Sequence, residues 1–135
     1  GNIDVDNADT VHTTSTGTWT SSTSLPGYLG TDYVHDGNTG KGTKTFSFLP
    51  PIATAGNYLS YARWPADTNR ANNVPIDIVQ TGGTVSTVTV NQQLNSNAWV
   101  LLGVFPLSPS NAEVKIRTTG TTGYVIADGV CVVAQ

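Results

Sequence analysis

The sequence predicts an all-β fold, a single antiparallel β-sandwich of the jelly-roll kind over residues 1–135. Three observations carry this reading. Short runs of alternating apolar and polar residues, bounded by Gly, Pro, Asn and Asp, recur along the whole chain, and no helical periodicity competes with them. Polarity comes from Thr, Ser, Asn and Gly, because charged residues make up only 11% of the chain. The helix formers Glu, Lys, Ala and Leu are scarce and Met is absent, whereas Thr, Val, Tyr and Trp suit a pleated surface.

Taken in order, the clearest strands are 44–49, 58–64, 74–80, 86–90, 99–107, 113–118 and 124–133, with fainter ones at 3–6, 18–21 and 32–35. Parity assigns their faces: Phe46 with Phe48, Val74 with Ile76 and Ile78, and Val114 with Ile116 point inward. Lys44, Asp77, Glu113, Lys115 and Arg117 then point to solvent. Gly82-Gly83 reads as a two-residue hairpin turn, since such a turn needs positive φ. Pro50-Pro51, Pro65, Pro106 and Pro109 mark strand ends or edges, where a missing N–H costs nothing. The first forty residues are rich in Thr, Ser and Gly yet hold Trp19, Tyr28, Tyr33 and both histidines. They are expected to form ordered loops and short strands over the sandwich.

A chain of 135 residues suits one domain and buries enough surface to need neither disulfides nor an obligatory metal. Cys131, the lone cysteine, lies in an apolar strand and reads as an inert buried thiol. The net charge is −3, and Lys41, Lys44, Arg63, Arg70, Lys115 and Arg117 form no basic run, which argues against nucleic acid. No apolar stretch reaches the roughly 20 residues of a membrane helix. Low charge and Thr/Ser-rich strands point to an extracellular, secreted protein. A chain opening on Gly1 is expected to have been processed or excised from something longer.

Several segments occur here in a characteristic order: Gly17-Thr-Trp19, Pro26-Gly-Tyr-Leu-Gly-Thr-Asp-Tyr33, Tyr61-Ala-Arg-Trp64, Asn69-Arg70, Asn73-Val-Pro-Ile76, Val90-Asn-Gln92 with Trp99, and Gly123-Tyr-Val-Ile-Ala-Asp128. Together they resemble the golvesin C-terminal-like domain, an accessory module of xanthan lyases and other secreted polysaccharide-degrading enzymes. The likeness covers nearly the whole chain. It implies a galactose-binding-like β-sandwich that assists with carbohydrate beside a catalytic domain in the same parent chain. Family members often have Ala where Gly129 stands and a basic residue where Cys131 stands.

The residues support sugar binding independently. A pyranose has weakly apolar C–H faces and a rim of hydroxyls, so its receptor combines aromatic platforms with planar polar side chains. The segment from Trp64 to Arg70 supplies that mixture. Asn69 and Arg70 suit hydroxyls, and Arg63 or Arg70 suits a uronate or pyruvate carboxylate, making an acidic polysaccharide the expected ligand. The candidate ligand residues are Tyr33, His35, Arg63, Trp64, Asn69 and Arg70. Trp64 shares parity with Tyr58 and Ala62, so it reads equally as core or platform. Trp99, at the start of a very apolar strand, reads as core in preference to platform, and Trp19 as a lid or a ligand contact. His35-Asp36 offers acid–base or hydroxyl chemistry, against the plainer reading of two solvated loop residues.

No cofactor is required by the sequence. Asp4, Asp6, Asp9 and Asp128 have the oxygen density of a structural calcium site, with pairing of Asp128 to Arg63 or a backbone amide as the alternative. Catalytic equipment is sparse: one Glu, no nucleophile elbow and no metal motif. The leading function is therefore a non-catalytic carbohydrate-binding module. A small lyase or hydrolase of acidic glycans, using Tyr33, His35, Tyr61 and Arg63, comes second, and a structural or protein-docking module third.

Overall fold

The structure, a computed structural model, describes residues 2–135. Its strands are β1 (Asn2–Asp6), β2 (Thr13–Thr16), β3 (Thr20–Ser22), β4 (Tyr33–His35), β5 (Thr45–Phe48), β6 (Gly56–Arg63), β7 (Val74–Val79), β8 (Val85–Val90), β9 (Val100–Leu107), β10 (Glu113–Arg117), β11 (Ile126–Ala127) and β12 (Gly129–Ala134). Among the described residues the one helical element is a 3-10 turn at Thr81–Gly83. Two sheets stack face to face, ordered β1-β12-β6-β9 and β2-β5-β10-β7-β8, and a small third sheet, β11-β4-β3, covers one end. Pairing between named strands is antiparallel throughout. The fold is the expected all-β jelly-roll sandwich.

Strand parity builds the core. Ala62, Val130 and Val132 of the four-stranded sheet meet Phe46, Phe48, Val74, Ile76, Ile78, Val114 and Ile116 of the five-stranded one in a single contiguous cluster. Across the outer face of the larger sheet, Arg117 pairs with Asp77 at 2.8 Å and Lys115 approaches Glu113, as half-buried strands require. Trp64 belongs to this core. Its side chain is 2% exposed, and its Nε1–H donates to the Leu94 carbonyl at 2.9 Å, which satisfies the one polar atom a buried indole carries.

Three elements differ from the sequence expectation. The run 124–133 is not one strand: Ile126–Ala127 pairs with β4, and after Asp128 the chain crosses to pair with β6 and β1. The uniformly apolar sequence on both sides of Asp128 conceals the switch. Strand β2 has no apolar residue to announce it; it is an exposed Thr/Ser edge strand beside β5. The β7–β8 hairpin forms, but its turn is wider than two residues: Gln80 N–H bonds the Thr84 carbonyl at 2.8 Å and encloses the 3-10 turn. Gly82 and Gly83 supply the positive φ values of 81° and 90°.

Replacing Trp64 with Ala removes the largest fully buried side chain and orphans the Leu94 carbonyl. Unfolding in urea should show a loss of about 3–5 kcal/mol. A change within about 0.5 kcal/mol would contradict the core placement.

Candidate functional site

The third sheet and the segment after β6 enclose a cleft of about 390 Å³ lined by Ser22, Ser24, Leu25, Tyr33, His35, Asp67, Asn69, Arg70 and Tyr124. Tyr33 and His35, two apart on β4, share the face that forms its floor. The opposite wall comes from a close main-chain approach. Residues 69–71 run beside Tyr124 in a parallel bridge, with Tyr124 N–H bonded to the Asn69 carbonyl and Ala71 N–H to the Tyr124 carbonyl, both 2.9 Å. Gly123 permits it: at φ +104° a Cβ there would stand 2.9 Å from the Arg70 carbonyl and the Asn69 oxygen.

Arg70 is the centre of the cleft's electrostatics. It is 6% exposed, and its fork is met by neutral acceptors: the Pro65 carbonyl at 3.1 Å, Asn69 Oδ1 at 2.9 Å and the Tyr33 hydroxyl at 3.4 Å. Its guanidinium carbon lies 5.5 Å from the Tyr33 ring centroid, a cation–π contact. No acidic side chain among the described residues forms an ion pair with it. A loop arginine is expected to have little core to lose on truncation; here the side chain is instead buried and bonded.

His35 stands over Tyr124 edge to face, with ring centroids 5.2 Å apart. Burial lowers its pKa, and the Arg70 and Lys44 cations add to that against the opposing pull of Asp36. The imidazole is thus neutral at neutral pH. Its Nδ1 accepts the Gly37 N–H at 3.0 Å, leaving the proton on Nε2. Asp36 is no solvated loop residue. It is fully buried and accepts from Lys41 Nζ at 2.7 Å, Asn38 N–H at 2.9 Å and Val125 N–H at 3.0 Å. Lys41 also donates to the Gly123 carbonyl, so this network locks the 36–41 loop to the strand behind the cleft. His35, the last residue of β4, and Asp36, the first residue after it, therefore do separate jobs.

The structure brings four of the six candidate ligand residues, Tyr33, His35, Asn69 and Arg70, to one cleft. Trp64 lies in the core, and Arg63 lies elsewhere, donating to the Gly27 carbonyl at 2.7 Å and stacking on Trp99 at 5.1 Å. The set Tyr33, His35, Tyr61 and Arg63, proposed for lyase chemistry, does not converge: Tyr61 and Arg63 share the outer parity of β6, away from the cleft. Trp19 packs edge to face on Phe46 with its Nε1–H on backbone carbonyls, as a lid on the core. Sequence reasoning missed Tyr124, whose parity was unreadable next to the sheet switch, and Asp67. The available signal was Tyr124's place in the Gly123–Asp128 segment.

Of the carboxylates considered for calcium, Asp9 caps its own turn and bonds His12 at 2.8 Å, and Asp4 is exposed on β1 opposite Cys131. Among the described residues no three acidic, His or Cys side chains are grouped to hold a metal ion. Asp128 is completely buried, accepts Leu29 N–H at 3.1 Å to each oxygen, and has Arg63 Nε 3.7 Å away. Burial pushes its pKa up to about 7, with Asp6 and Asp32 adding to the rise and Leu29 and Arg63 opposing it.

The comparisons with known proteins agree with this architecture. The golvesin C-terminal domain family model matches residues 3–134. A xanthan lyase of Bacillus sp. (strain GL1) is 40% identical over 134 residues, covering 96% of this chain and 14% of that protein. The structure of a Paenibacillus xanthan lyase superposes with a TM-score of 0.95 at 47% identity, over 99% of this chain and 13% of that one. A family 35 carbohydrate binding module from Clostridium thermocellum superposes at 0.70 and 16% identity, over 100% and 99% of the two chains, a likeness of fold alone.

Asp128 gives a signed pH dependence. Above about pH 4 the unfolded carboxyl ionises, while the folded one keeps its proton until about pH 7. The fold therefore binds more protons, and stability falls as pH rises from 4 to 7, then levels. The lowered pKa of His35 acts in the opposite sense below about pH 6.5. Asp128→Asn keeps an acceptor for Leu29 and removes the carboxyl's titration. Melting curves from pH 5 to 8 should fall with pH in the wild type and lose that fall in the variant; equal slopes would refute a buried, protonated Asp128.

Proposed function

Because the chain belongs to the golvesin C-terminal domain family, we propose that it is a non-catalytic carbohydrate-binding module of a secreted polysaccharide-active enzyme, with the Arg70 cleft as its ligand site. The chain is read as one module, since its buried side chains form one core. The relation to xanthan lyases, of which it matches 14% and 13%, supports an accessory role beside a catalytic domain in a longer parent chain.

One observation carries the ligand class. A buried guanidinium lines the cleft without a carboxylate partner, and burying a charge is costly unless it is fully compensated. A uronate or pyruvate-ketal carboxylate supplies the missing partner. Tyr124 and Leu25 offer apolar surface to a sugar's C–H face, and Asn69, Asp67 and His35 Nε2–H offer hydroxyl partners. Acidic polysaccharide is thus the preferred ligand.

Affinity electrophoresis across neutral and anionic polysaccharides tests this. The wild type should be retarded by an acidic polymer without generating new reducing or unsaturated ends. Tyr124→Ala, at a half-buried position, should weaken retention about tenfold with little change in melting temperature. Arg70→Lys keeps the charge but not the planar fork, and should reduce the preference for acidic over neutral polymer. Equal retardation by neutral polymers would overturn the acidic assignment, chain cleavage would favour an enzyme, and no retardation would favour a docking module.

A further inference from the structure

We propose that the outer face of the β1-β12-β6-β9 sheet is a docking surface for an adjoining domain of the same polypeptide, one presenting an uncharged, aliphatic patch. This rests on the reading of the chain as one module of a longer protein, but not on the sugar site.

Strand register assembles the surface. Tyr61 faces Leu101 and Leu59 faces Val104 across β6 and β9, while Val133 of β12 lies opposite Leu59 on its other side. All five share the parity opposite to the core residues Tyr58, Ser60 and Ala62. Leu101 is 51% and Val104 42% exposed, in a face whose charges, Asp4 and Asp6 of the edge strand β1 and Arg63 at the end of β6, stand at its borders. Branched aliphatic carbons offer no partner to hydroxyls, so this face suits protein rather than polysaccharide.

The edge of the sheet is guarded where the face is not. β9 is an edge strand, but the ladder is broken by a bulge between Ser60 and Tyr61, Gly103 takes φ +151°, and Pro106 has no N–H to donate. These devices discourage strand addition. What remains available is contact through side chains, face to face.

Topology identifies the occupant. Asn2 lies opposite Val133, and Gln135 N–H bonds the Asn57 carbonyl, so the first and last described residues both lie on this same sheet, beside Leu59 and Val104. A domain joined at either end is held next to the patch at an effective concentration on the order of millimolar, whereas a free second copy would bear the full cost of association. The relatives in which this unit is 14% and 13% of the chain have the polypeptide to provide such a neighbour.

Hydrogen exchange on the 135-residue domain and on the longer polypeptide carrying it tests the proposal without any mutation. The β9 and β6 amides should be at least tenfold better protected in the longer chain. Leu101→Asp with Val104→Asp should abolish that difference and leave the melting temperature of the isolated domain unchanged. Equal protection in both forms would overturn the proposal. So would a dimer of the isolated domain, seen in sedimentation velocity and dissolved by the double variant, or loss of polysaccharide retardation in that variant. Sugar binding that fails while the exchange difference persists would sink the cleft assignment and leave the docking surface standing.

Discussion

The cleft depends on one close approach of main chain to main chain. Residues 69–71 are bonded on one side to Tyr124 and on the other to Gln92 and Gln93, through Gln92 N–H to the Ala71 carbonyl and Gln93 Nε2 to the Arg70 carbonyl. Gln92, fully buried, also bonds both the N–H and the carbonyl of Ile126 with its side-chain amide, so it serves β11 as a neighbouring strand would. The backbones of Arg70 and Tyr124 are thereby fixed, and their side-chain contacts then aim each group into the cleft. A Cβ at position 123 would collide with the Arg70 carbonyl, so the arrangement rests on glycine there.

Three buried charged groups in this end of the fold are handled by three different means. Asp36 has a full complement of partners: an ammonium and two backbone N–H groups. Asp128 has too few, and burial instead favours its neutral form. Arg70 has neither escape, because a guanidinium does not lose its proton and no carboxylate pairs with it. Its neutral acceptors satisfy N–H geometry but leave the guanidinium without a counter-charge in contact. The electrostatic imbalance therefore sits where the aromatic and amide side chains converge, and the other two groups act to hold the framework around it.

Much of the sandwich was legible in the sequence because half-buried strands impose a period of two, and Phe46/Phe48, Val74/Ile76/Ile78 and Val114/Ile116 obey it. Legibility ended where that period carries no information. The Thr/Ser strand β2 buries almost nothing, and the residues around Asp128 are apolar on both faces because they are buried on both. The same limit governed the site. The grouping of Asn69 and Arg70 with Tyr33 and His35 could be suspected from residue type, but Tyr124 arrives through a parallel bridge, for which sequence has no local signature. Trp64 reads either way because an indole serves core and platform alike, and it proves to be core, bonded to the Leu94 carbonyl; Trp99 reads as core but is only half-buried, outside the core cluster, beneath the Arg63 guanidinium.

The sheet switch at Asp128 also sets the polarity of the whole module. Strands β6 and β12 pair antiparallel from the Tyr58–Ala134 end, near which Asn2 and Gln135 lie, to the Arg63–Gly129 end, beyond which the third sheet and the cleft are built. The eight residues of β6 separate those ends by roughly 25 Å at the usual rise per residue. Had residues 124–133 stayed in one sheet, β11 would have had no pairing with β4, and Tyr33 and His35 would have lost the strand that holds them opposite Arg70. By breaking the strand at a buried carboxyl tied to Leu29, the chain sets the cleft at the pole opposite to Asn2 and Gln135, so that a sugar in the cleft leaves the other pole open.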